Sequence, residues 1–371
     1  MPYDEVNIYN TFYMKFQRIL LSIYGVVPYP FQHFRILIYH VYSITVLCVI
    51  LVLTYFRYIY QEEFQEEFGI AGINKISDVF IMIFICSTAF VHFLLQLDSM
   101  LKYKQYFLIV ETIKKITKGV KVSKKALIYE ITHLLLVISA LATIYLYLKW
   151  EGLRGLLHLR IMWSEVCGRM KIIQYLLFVE IIDGCLSKAI SRLSKLRNCG
   201  GTKTSEATKE FVEVQKYLRR VNEFEDQMFK YLGASIVISF IFETCTFIIL
   251  MYISTLVFTG LDYNSRIRYS YSILYTFINM LFPCWVSQIC IQKHKKIKQV
   301  IHNIDHGTGK ISLETLSNVR LFSLQLQHWN LRFSCLGYFN INLKTFGSIL
   351  TAAITYIFIC IQFQQEEKFK N

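Results

Sequence analysis

The sequence predicts an all-α membrane protein: seven transmembrane helices, a cytoplasmic amino terminus, an extracellular carboxyl terminus and helical extensions that form an anchor bundle inside the cell. Three observations carry this expectation. Hydrophobic residues make up 54% of the 371 and mean hydropathy is positive, outside the usage of soluble domains. The apolar residues fall in blocks about 20 long, the length that crosses a bilayer as a helix. The 40 lysines and arginines are shared very unevenly among the segments between those blocks.

The blocks lie at 37–60, 78–97, 127–148, 171–186, 233–259, 270–292 and 345–363. Backbone groups in lipid must be satisfied within the segment, so each block is a helix. The fourth is short and holds Glu180 and Asp183. About 36 polar and aromatic residues precede the first block, too many for a cleaved signal. Alternate segments carry 28 lysines and arginines on one side against 10 on the other. Basic residues collect on the cytoplasmic side, which places the amino terminus inside and the tail outside. That is the reverse of a G-protein-coupled receptor. The net charge of +14 sits in loops beside anionic lipid and calls for no nucleic acid.

Between the crossings, apolar stripes continue outside the membrane. Phe211, Val214, Leu218, Val221, Phe224 and Met228 recur at three- and four-residue steps and run into the fifth crossing. Helix six extends through Ile297, Val300, Ile301 and Ile304. A further helix over 313–332 carries Leu316, Val319, Leu321, Leu324, Leu326 and Trp329. Such stripes must be buried, either within one chain or in a bundle shared between subunits. Pro283 is expected to kink helix six.

The ten cysteines show no CxxC pair or metal-ligand spacing. They read as small apolar residues, with no metal or cofactor expected. No nucleophile–base set or phosphate loop marks an enzyme. No inverted repeat marks a secondary transporter. Glu180 and Asp183 share a helix face and are expected to anchor or pair with a basic loop. Intramembrane His92 and Glu243 are open to a functional or a hydrogen-bonded structural role.

The last block carries an unexpected pattern. At 100° per residue, Ser348, Thr355 and Gln362 fall on one stripe, with Thr351 and Ile359 about 40° to either side. Polar stripes in membrane helices glue helices together or line a water-filled path. The residues alone favour packing.

Thr355, Tyr356, Gln362 and Phe363 occur as Thr-Tyr, five apolar residues, then Gln-Phe, with Gly337 and Phe339 upstream as Gly-x-Phe. This ending resembles the signature of the insect gustatory receptor family. The resemblance implies a ligand-gated, non-selective cation channel in the plasma membrane of gustatory neurons (dendrite, axon and cell body), built as a homotetramer or a heterotetramer with related receptors. Its ligand would be a bitter or unassigned tastant rather than a sugar. An odorant-type channel of the same superfamily is the alternative. The resemblance reverses the packing preference: Gln362 and Phe363 would form the gate, with Ile359, Thr355, Thr351 and Ser348 lining the conduit. Tyr356, on another face, is expected to pack against neighbouring helices. The ligand pocket would lie in the outer half of each subunit. His92, His133, Tyr145, Tyr147, Trp163, Glu243, Tyr252, Tyr271 and Tyr275 are its candidates by depth and chemical character. The expected divisions are a cytoplasmic segment at 1–36, six crossings with the ligand region at 37–292, a cytoplasmic extension and anchor at 293–344, the pore helix at 345–363 and an extracellular tail at 364–371.

Overall fold

The computed structural model describes residues 33–59, 75–117, 153–198, 204–257, 263–305, 313–329 and 331–370, with single positions at 19, 22, 120 and 131. Among them are eight helices and one hairpin. The helices are α1 (His33–Ile59), α2 (Lys75–Leu101), α3 (Tyr103–Ile116), α4 (Leu153–Asn198), α5 (Thr204–Val257), α6 (Tyr263–Asp305), α7 (Leu313–His328) and α8 (Leu343–Lys370). The hairpin joins β1 (Ser334–Cys335) to β2 (Phe339–Asn340). The third predicted crossing lies outside the described residues, apart from helical Ile131.

Helix directions alternate. Gln96 of α2 donates to the Ser43 carbonyl of α1, and His40 of α1 meets Tyr103 just beyond α2. On α2 and α5, Val91 clusters with Phe242, while Asp98 accepts from Ser235. On α4 and α5 the pairs are Arg169 with Glu243, Gln174 with Tyr231, Phe178 with Phe224 and Arg192 with Glu210. In each pair one number rises as the other falls, so these helices are antiparallel. Tyr175 with Ser287 and Asp183 with Lys293 rise together, so α4 and α6 run parallel. Crossings two, four and six thus point one way and crossings one and five the other, as an up-and-down bundle requires.

This register corrects the fourth crossing. Residues 171–186 lie beside Tyr217–Tyr231 of α5, before the fifth apolar block begins at Gly233. At 46 residues α4 is about 69 Å long, more than twice the hydrocarbon thickness. The fourth crossing therefore falls in its first part, 153–170. Hydropathy misplaced it for a physical reason. Residues 171–182 are buried without exception, so they are apolar nearly all round, as a membrane helix is. The true crossing is disguised by Arg154, His158, Arg160, Glu165 and Arg169.

Below that level the chain builds its largest core. All six residues of the α5 stripe, Phe211 to Met228, are buried against α3, α4, α6 and α7. Ile297 and Ile301 of α6 join them. The α5 stripe is therefore packed within one chain. The α7 stripe divides: Val319, Phe322 and Leu326 are buried, but Leu321 and Leu324 are more than half exposed. Polar clamps close the ends of this bundle. Arg192 of α4 reaches Glu210 and Glu213 of α5 at 2.7 and 2.9 Å, which holds the Glu210 carboxyl below its usual range. Asp183 pairs with Lys293 at 2.6 Å, the basic partner expected for it. Helix α6 continues through Pro283, and the Ser287 hydroxyl takes the Pro283 carbonyl.

Helix α7 ends at His328, four residues before the boundary predicted from its apolar steps. The chain then forms the hairpin, with Leu336 and Gly337 both at positive φ (51° and 78°) and Tyr338 N–H closing the turn on Cys335 O. Gly233 of α5 sits where an added Cβ would approach the Leu336 side chain to 3.3 Å, so the hairpin tip leans on a bare helix surface. An added Cβ at Gly337 would meet nothing within 4 Å, leaving only the conformational penalty. Gly337→Ala should therefore cost about 1 kcal/mol. A lower melting temperature of the purified protein, with unchanged helix content, would register it.

Candidate functional site

Helix α8 begins with a side-chain cap: Asn342 Oδ1 accepts the Thr345 N–H at 2.9 Å. One face, Phe346, Ala353 and Ile357, is buried against α5 and α6, with Phe346 edge-on to Phe277 at 5.3 Å. Ser348, Thr351, Thr355, Ile359 and Gln362 lie on the opposite side, and all five are exposed. The hydroxyls of Ser348, Thr351 and Thr355 bond back to Lys344, Gly347 and Thr351 carbonyls, at 3.2, 3.0 and 2.9 Å. Among the described residues, these side chains bond to no other helix. Tyr356 also faces outward, 59% exposed. The Phe363 side chain is outside the described residues. Its backbone continues α8, which stays helical through the predicted tail to Lys370.

The residues proposed for a ligand pocket fall into four groups. His133 and Tyr145, with Tyr147, lie outside the described residues, as do the side chains of Trp163 and Tyr271. His92 is buried, its Nε2 3.1 Å from Gln96 Oε1, and Gln96 in turn holds the Ser43 carbonyl. Glu243 and Tyr275 are brought together by a residue that sequence reasoning counted as a loop charge. The Arg169 guanidinium lies 4.1 Å from the centre of the Tyr275 ring and 3.6 Å from Glu243 Oε1. Asn279 donates to the same carboxylate oxygen at 3.5 Å. An acidic group at this depth demands a cation, so Glu243 itself was the signal for Arg169. Tyr252 is buried nine residues further along α5.

A second buried cluster ties the bundle to α8. Glu225 of α5 accepts from Trp329 Nε1 at 3.4 Å and from the Arg332 N–H at 3.3 Å, in the segment that leads to the hairpin and α8. Trp329 stands edge-on to His294 of α6, with ring centres 4.5 Å apart. Burial pushes the Glu225 carboxyl up to about 8, against the two hydrogen bonds and with help from Asp226. Burial, with Lys298 adding to it, pushes His294 down to about 4. The folded state thus holds an extra proton on Glu225 between pH 4.5 and about 8, and stability falls as pH rises through that range. His294 works oppositely between about 4 and 6.5, where stability falls as pH falls. The slopes cancel between 4.5 and 6.5, leaving Glu225 dominant from 6.5 to 8. The melting temperature should drop across that upper window, and Glu225→Gln should flatten the drop.

Comparison with known proteins accounts for the fold. A family model described as 7tm chemosensory receptor matches residues 15–367. The chain belongs to this family of chemosensory receptors. Family members are receptors, not enzymes. Putative gustatory receptor 98b of Drosophila melanogaster is 27% identical over 208 residues, 54% of this chain and 51% of the relative. Putative gustatory receptor 98c of the same fly is 25% identical over 203 residues, 52% and 49% respectively. The chain spans about half the length of the curated relatives it matches. The olfactory receptor OR5 of Machilis hrabei shares the fold at a TM-score of 0.61 and 12% identity, covering 95% of this chain and 98% of the other. Its complex with eugenol matches at 0.58 and 10% identity, over the same shares.

Proposed function

We propose that this receptor is a subunit of a ligand-gated cation channel for taste, assembled as a tetramer around α8. The observation that carries the reading is the face of α8 that points away from its own protomer. It bears Ser348, Thr351, Thr355, Ile359 and Gln362, a poor surface for lipid and a suitable one for a wet axis shared by four copies. Gln362 and Phe363 form the gate and the other positions the conduit. Exposed Leu321 and Leu324 of α7 meet the neighbouring subunit, since apolar residues outside the membrane need cover. The basic bundle faces the cytoplasm. Moving the fourth crossing takes Arg160, Arg169 and Lys171 off the outer side and makes the charge asymmetry steeper. The ligand is a small tastant, bitter or of unassigned class, held above the Arg169–Glu243 pair by residues that include Tyr252 and Tyr275. The receptor works in the plasma membrane of gustatory neurons.

Purified protein in a planar lipid bilayer tests this. A panel of bitter compounds should include one that evokes cation current with neither nucleotide nor G protein present. Silence across the panel, with a response restored by G protein in cells, would reject the channel.

A further inference from the structure

Between the cytoplasmic end of α6 and α7 lies a groove of about 260 Å³, lined by Lys298, Gln299, His302, Ser323, Leu326 and Gln327. Two pairs at one-turn spacing border it: Lys298 with His302 on α6, and Ser323 with Gln327 on α7. Residues four apart share a helix face. Each polar side chain of the lining donates hydrogen bonds, as ammonium, imidazole, hydroxyl or amide, and no carboxylate is among the described lining residues. Exposed Lys295 and Lys296 on α6 and exposed Arg320 on α7 add to the positive field. Burial and the Lys295 charge both lower the Lys298 pKa. A bound anion would relieve that cost. The volume falls below the range of about 300 Å³ upward that suits drug-sized ligands, so the groove takes a phosphate group while the rest of a larger ligand stays outside it.

We propose that this groove binds the phosphate group of a small cytoplasmic metabolite such as an inositol polyphosphate, with Lys298 and His302 holding the phosphate and Ser323 and Gln327 completing its hydrogen bonds. Charge-assisted bonds of this kind are the strong ones. Depth bears on the source. Ser287 of α6 is bonded to Tyr175, whose neighbour Gln174 bonds Tyr231, two residues below the fifth apolar block. Lys298 and His302 follow Ser287 by 11 and 15 residues, about 16 to 22 Å along the helix. That separation favours a soluble phosphate over a lipid headgroup, although both carry the same group. The cytoplasmic placement rests on the functional reading above, whereas the binding does not depend on it.

The test uses the full chain in phosphatidylcholine nanodiscs, titrated with inositol hexakisphosphate and followed by calorimetry. A second arm replaces the soluble probe with phosphatidylinositol bisphosphate in the nanodisc and follows the melting temperature. Saturable binding in the first arm is expected, weakened about tenfold or more in K298Q/H302Q and unchanged in K296Q, which lies outside the lining. Should the double variant fail to fold, S323A/Q327A carries the comparison, with a several-fold loss expected. An effect confined to the lipid arm, with the same dependence on Lys298 and His302, supports the phosphate site and makes the membrane its source. Absence of saturable binding in both arms, or equal loss in K296Q and K298Q/H302Q, overturns the proposal. Because binding is read without current, failure of the channel reading would leave this result standing, and the reverse holds too.

Discussion

Phe363→Ala channels should conduct without ligand. On α8, Phe363 follows Gln362 by one residue and Tyr356 by seven, so by helical phase its position falls on the Tyr356 side of the polar stripe. Four such rings around one axis would make a constriction that sheds water, and a hydrated cation cannot pass where its shell is stripped. Replacing them with methyl groups widens and wets the ring. Losing four apolar side chains should shift a closed-favoured equilibrium by roughly 1.4 kcal/mol or more, about a tenfold rise in ligand-free current. Gln362→Ala should instead change conductance or ion preference, because it removes polar groups offered to passing ions. Single-channel recording separates the two outcomes. Unchanged ligand-free current in Phe363→Ala would place the gate elsewhere.

Arg169→Ala should be among the most destabilising single changes where α4 packs on α5. The guanidinium is held between the Tyr275 face and the Glu243 carboxylate, and both charged side chains are at least nine-tenths buried. Removing the cation leaves a buried carboxylate with Asn279 as its hydrogen-bond donor, at a cost of about 3 to 5 kcal/mol. Apolar replacement of both partners, Arg169→Met with Glu243→Leu, should recover most of that loss. Surface expression and melting temperature read the cycle. A double variant as damaged as the sum of the two singles would show that the pair does not act as a unit.

Long, strongly patterned features were legible from the residues. The α5 stripe from Phe211 to Met228 is buried as its periodicity demanded. Hydropathy failed where burial by protein imitates burial by lipid. Residues 171–186 sit inside a helical bundle and look like a crossing, while the crossing itself carries the Arg169 that Glu243 requires. Periodicity also carried α7 too far. Nothing in its apolar steps reveals that Trp329 and Arg332 turn aside to meet Glu225, which lies more than a hundred residues away in sequence. The α8 stripe was visible, but its direction was not. A helical wheel gives relative angles, and only the buried Phe346–Ala353–Ile357 face shows that the polar side points away from the protomer.

Whether that outward face lines a pore is decided most directly by cysteine accessibility. Single cysteines at Ser348, Thr355 and Gln362, in channels held open by ligand, should react with a small water-soluble thiol reagent and lose current, while a cysteine at Tyr356 reacts slowly. Rapid reaction at Tyr356 with none at the other three would mean that the stripe packs against another helix and that ions pass elsewhere.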